Sequence, residues 1–132
     1  MALRKEAAIL KLLTASQNEG PLMLLQTSVL NEMAAYVRDV SALVRQGYIS
    51  FNNASDHFWI AQQADLILTQ AATMNTEFIH EAACILAGFD DILTAECFSR
   101  RSDFERVKQG MDLLAGCYAE VLEARHETRQ AA

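Results

Sequence analysis

The chain repeats itself, and a doubled pair of amphipathic segments restricts the fold more than any single motif in it. At an offset of 49, Thr27, Glu32, Ala34 and Ser50 recur as Thr76, Glu81, Ala83 and Ser99. The apolar positions Val29, Leu30, Val37, Val40, Leu43 and Val44 recur as Phe78, Ile79, Leu86, Phe89, Ile92 and Leu93. At an offset of 47, Ser55, Asp56, Gln62, Asp65 and Leu66 recur as Ser102, Asp103, Gln109, Asp112 and Leu113. The change of offset falls in a loop, which is longer in the first copy, at Phe51 to Ala54. Any two amphipathic helices align at some offset. Two successive segments with the same Ser-Asp joint point instead to a duplicated helical hairpin.

Periodicity fills in the elements. Residues 2–16 read as a short amphipathic helix with Leu3, Ala7, Leu10 and Leu13 on one side, closed by Gly20-Pro21. A helix over about 22–49 follows, its seam Val29, Met33, Tyr36, Val40 and Leu43 spaced 4-3-4-3 and widened by Leu30, Val37 and Val44. Asn53 or Ser55 can cap the next helix, with seam Ile60, Ala64, Ile67, Ala71 and Met74. The last helix carries Phe104, Val107, Met111, Leu114, Tyr118 and Val121, and Ser102-Asp103-Phe104-Glu105 reads as a capping box. Between the copies, Ala72 to Glu77 holds no strong helix breaker. A continuous helix from Asp56 to Ser99 would be roughly 66 Å long at 1.5 Å per residue.

The expected fold is therefore all-α, a single helical domain over 1–132. An N-terminal helix at 2–16 precedes two tandem hairpins at 22–75 and 76–129. The hairpins form either an antiparallel four-helix bundle or an elongated, coiled-coil-like array.

Composition narrows the function. With 132 residues the chain can bury a core without staples. A formal charge of −6 argues against nucleic acid, whose phosphates require a basic face. No apolar run reaches membrane-spanning length, so no transmembrane segment is expected. Arg4 and Lys5 precede an apolar stretch, but Lys11 interrupts it and no cleavage site follows, so no signal peptide is expected. Cys84, Cys97 and Cys117 form no CxxC pair and read as reduced thiols of a cytoplasmic protein.

Two Glu-x-x-His pairs, Glu77/His80 and Glu123/His126, raise a ferritin-like di-metal site, with Glu32, Glu81 and Glu96 as further carboxylates. Helical phase argues against it. Glu123 and His126 lie about 160° and 100° from the centre of the last seam, and His80 about 165° from the Phe78–Ile92 stripe. These pairs read as solvated surface. His57 sits beside Asp56 at a helix start and reads as a capping neighbour, while Asp90 and Asp91 read as local charge. No nucleophile–histidine–acid order and no phosphate loop is visible. The chain is expected to be no enzyme and to use no metal or cofactor.

Surplus apolar residues are more informative. Phe58 and Trp59 exceed what their seam requires, and Phe58 corresponds to Glu105, an outer-face position. They either pack beneath the N-terminal helix or form an exposed patch for a partner or a lipid-like surface. Leu10 and Leu13 could serve the same contact.

The joints Ser55-Asp56 and Ser102-Asp103, with Gln62 and Gln109 two turns on, resemble those of the phasins, small helical proteins that coat bacterial polyhydroxyalkanoate granules. The stretch Met111-Asp112-Leu113-Leu114 through Tyr118 and Glu123-Ala124-Arg125 is similar to the tail of the phasin helix. The resemblance covers about 34–125. It implies a non-enzymatic, granule-associated bacterial cytoplasmic protein that adsorbs to polyester through an apolar helical face, and Phe58, Trp59, Leu10 and Leu13 are the contacts expected of this chain. The doubled seam suggests a homo-oligomer. Two other readings stand beside this one, a helical adaptor or chaperone for a protein partner and, more remotely, the di-metal protein.

Overall fold

The computed structural model describes residues 20–131, with side chains as far as Glu127. The expected helix at 2–16, with Leu10 and Leu13, lies outside the described residues. Four α-helices follow in order: α1 Gly20–Arg45, α2 Ala54–Ala72, α3 Ile79–Ile92 and α4 Arg101–Ala131. Single 3-10 turns at Thr76–Phe78 and Ala95–Cys97 precede α3 and α4. The described residues contain no strand, and no helix among them is long and apolar enough to cross a membrane.

α1 is the hub, touching each of the other three helices. Pro21 falls in its first turn, where a missing N–H is tolerated because that donor has no intrahelical partner. Its whole seam is buried, as are Leu30 and Val37 on the flank. Ile60, Ala64, Ile67 and Ala71 of α2, and Val107, Leu114 and Val121 of α4, complete that core with Leu86 and Phe89 of α3. Asn53 caps α2, its side-chain oxygen accepting from the Asp56 N–H at 2.8 Å.

The joint between the copies is broken, and its geometry explains why the sequence does not advertise it. After α2 the Met74 N–H bonds the Ala71 carbonyl and the Asn75 N–H the Gln70 carbonyl, both at 3.0 Å. That pair of bonds is a Schellman ending. Met74 occupies its left-handed position at φ 56°, where glycine is the usual residue. Thr73 and Asn75 add side-chain bonds to Gln70. Met74 therefore leaves the seam expected of it and is 61% exposed. α1 ends in the same motif, Gly47 N–H to Val44 and Tyr48 N–H to Leu43, with Gly47 at φ 83°.

The repeat has a three-dimensional counterpart. Ile49 and Phe98, equivalent at the offset of 49, form an isolated antiparallel bridge. Ser50 N–H donates to the Cys97 carbonyl at 2.8 Å and Ser99 N–H to the Tyr48 carbonyl at 3.0 Å. The same offset turns one bond into the other, so the two interhelix loops meet about a local pseudo-twofold axis. α2 begins at Ala54 and α4 at Arg101, which matches the second offset of 47.

The start of α4 differs from the expected capping box. Ser102 and Glu105 are already inside the helix, and Glu105 pairs with Arg101 at 3.3 Å. Asp103 is buried between Arg100 at 2.6 Å and Arg106 at 3.3 Å, and Arg106 continues to Asp39 of α1 at 3.0 Å. Arg100 also lies over the Tyr48 ring. The acidic first turn thus serves an ion-pair network rather than a reciprocal cap.

Candidate functional site: the cleft between α3 and α4

The offset of 47 places Met111 and Tyr118 of α4 where α2 has Ala64 and Ala71. Small residues let two helices approach, and long ones hold them apart. α3 offers little bulk in return on this side, with Ala83, Cys84 and Ala87. A cleft of about 470 Å³ results. Its floor is Met33, Leu86 and Leu114, all buried. On the α4 wall Met111, Ala115 and Tyr118 recur at a 4-3 spacing, one helical face about 10 Å long at 1.5 Å per residue. The lining is largely apolar, with Asp90 and Asp112 at one end.

The two ends of the cleft differ in chemistry. At the acidic end Lys108 bonds Asp90 at 2.7 Å, and this hydrogen bond raises the lysine pKa. Tyr36 lies nearby against Gly110, its hydroxyl buried without a hydrogen-bond partner. Burial raises its pKa strongly, with the Asp90 and Asp39 charges adding to the shift.

At the other end Tyr118 Oη lies 2.6 Å from His80 Nδ1, with the rings edge to face. Arg125 Nη1 meets His80 Nε2 on the opposite side of the ring. A guanidinium can only donate, so Nε2 accepts and Nδ1 carries the hydrogen. His80 then donates to Tyr118 Oη, and the Tyr118 hydroxyl hydrogen remains free for another acceptor. Among the described residues Arg125 meets no carboxylate.

This corrects the reading of His80 as a solvated surface residue. A wheel measures direction from one stripe, and α3 packs against α1 and α2 on one side and α4 on another. His80 is on the flank that α4 covers, and it is half-buried. The 3-10 turn ending at Phe78 also shifts the phase from which the angle was measured. Glu77, Glu123 and His126 are exposed. No three His, Cys, Asp or Glu side chains converge as a metal would need, among the described residues. Cys84, Cys97 and Cys117 form no disulfide, and Cys84 is exposed on the cleft wall. His57 stacks on Phe51.

The structure separates the two aromatic residues singled out from the sequence. Phe58 is 66% exposed on the first turns of α2. Trp59 is half-buried, edge-on to Phe89 with centroids 5.9 Å apart, and it lies directly over Gly88. Neither lines the cleft. Sequence reasoning missed the cleft because each of its residues reads as an ordinary helix position. The available signal was the replacement of Ala64 and Ala71 by Met111 and Tyr118 across the repeat. The chain matches no protein-family model, no curated protein and no solved structure.

Proposed function

We propose that this is a non-enzymatic helical protein that adsorbs to a hydrophobic surface, in the manner of phasins on polyhydroxyalkanoate granules in a bacterial cytoplasm. In this reading the four helices form an antiparallel bundle within one domain, and copies of the chain self-associate. The observation that carries it is Phe58, a large apolar side chain left 66% exposed at the start of α2 of an acidic chain. Leu113 of α4, 72% exposed, is a second such side chain. Full burial of one such side chain is worth about 1.5–3 kcal/mol, so a few contacts suffice for adsorption.

Co-sedimentation with artificial polyhydroxybutyrate particles tests the reading. The parent chain is expected to pellet with the particles, and Phe58→Ser to lose most of that association at unchanged melting temperature. Trp59 is left intact in this test because its contact with Phe89 ties it to the fold. An unchanged bound fraction for Phe58→Ser removes the proposed contact. Indifference of the parent chain to the particles removes the granule reading and leaves the helical adaptor, in which the same side chain meets a protein. Light scattering after gel filtration tests self-association, and a monomer at high micromolar concentration rejects it.

A further inference from the structure

We propose that the cleft between α3 and α4 binds a medium-chain aliphatic carboxylate, with its chain along Met111 and Ala115 and its carboxylate accepting a hydrogen bond from Tyr118. The cleft's dimensions and lining set the body of the ligand. A volume of about 470 Å³ with a largely apolar lining falls in the usual range of small-molecule sites. The run of about 10 Å from Met111 to Tyr118 suits an extended chain rather than a bulky ring system.

The polarity of the ends sets the head group. Tyr118 has one free hydroxyl hydrogen, because its oxygen already accepts from His80. A donor bordering an apolar cleft calls for one acceptor on the ligand. Behind it, Arg125 is half-buried, donates to His80 and meets no carboxylate among the described residues. The positive charge of Arg125 beside a low-dielectric cleft favours an anionic acceptor over a neutral one. Asp112 at the opposite end repels a carboxylate and so fixes the direction of the chain. Binding in the cleft does not depend on particle adsorption through Phe58, which lies outside it.

Titration calorimetry of the full chain with sodium decanoate, below its micelle concentration, tests the proposal. Saturable binding at one decanoate per chain is expected. Tyr118→Phe should weaken it by about tenfold, the worth of one hydrogen bond to a charged group. Decyltrimethylammonium should not compete. Because Tyr118→Phe also removes a partner of His80, a second readout uses the unaltered chain. Bound decanoate should slow alkylation of Cys84, mapped by peptide mass spectrometry, since that thiol lines the cleft. Absence of saturable heat, equal alkylation of Cys84 with and without decanoate, or equal binding of the cationic analogue overturns the proposal. A folded Tyr118→Phe chain that binds decanoate as the parent does overturns the head-group assignment.

Discussion

In the first hairpin α2 presents Ala64 and Ala71, and α1 and α2 pack more extensively than their counterparts do. In the second, α4 presents Met111 and Tyr118 at the equivalent positions, and a cleft separates it from α3. The pattern of apolar and polar positions is shared, so both hairpins form two helices in the same order, and the starts of α2 and α4 match. Side-chain volume is not shared, and volume sets how closely helices approach. The shared pattern thus keeps the scaffold alike, while the second hairpin opens a concave surface. The polar groups at its far end, Tyr118 and His80, correspond to Ala71 and Asn31 in the first copy.

The largest expected effects probe that difference at Ile67 and Leu114, equivalent positions at the offset of 47. Ile67 is fully buried, whereas Leu114 forms the floor of the cleft. Ile67→Ala should sit near the top of the range of about 2–5 kcal/mol for such truncations, and Leu114→Ala near the bottom. Urea denaturation measures both, with exposed Glu123→Ala as a control expected within about 0.5 kcal/mol. Equal losses at Ile67 and Leu114 would mean that the second interface is as closed as the first.

Next in size is Gly88→Ala. A Cβ there would lie 2.6 Å from Trp59 Cη2. Overpacking of this kind costs about 1–3 kcal/mol, more than the ~1 kcal/mol by which alanine is favoured in a helix. A stabilised variant would show that Trp59 is not seated on α3 and would return it to the exposed patch with Phe58.

The two Schellman endings make a matched pair of smaller tests. Met74→Gly should raise stability by about 1 kcal/mol and Gly47→Ala should lower it by about as much, because both positions are left-handed. Thermal melts read the two signs directly. The same sign for both would break the equivalence of the turns.

An effect of the same size is expected at Tyr36, whose equivalent in the second copy is the apolar Ile85. Its hydroxyl is buried without a partner, so Tyr36→Phe should gain about 1 kcal/mol. The pH dependence has a definite sign. The folded-state pKa is raised above the ordinary 10.0, so the unfolded chain ionises first and stability falls as pH rises above 10. Comparing the two chains between pH 9 and 11, the Tyr36→Phe chain should lose less stability than the parent.

Much of the helical plan was legible because burial along a helix follows a 3.6-residue period that sequence displays directly. The seam from Val29 to Leu43 is buried in full, and Asn53 caps as its position suggested. The break at Met74 was hidden because no glycine or proline marks it. The sequence places Asp103 in a cap motif, whereas two arginines brought by the turn before α4 and by α4 itself enclose it.

By itself the sequence determined four amphipathic segments, their order, and the correspondence between the two halves, because these follow from local periodicity and identity at fixed offsets. Tertiary structure alone decided that α2 and α3 are separate helices, that the interhelix loops pair across a pseudo-twofold axis, and that a cleft opens between α3 and α4. It also decided that His80 meets Tyr118 and Arg125. Such outcomes depend on which flank a third helix covers and on how much volume two facing walls contribute. Both are properties of neighbours in space, and no single helix carries them in its own period.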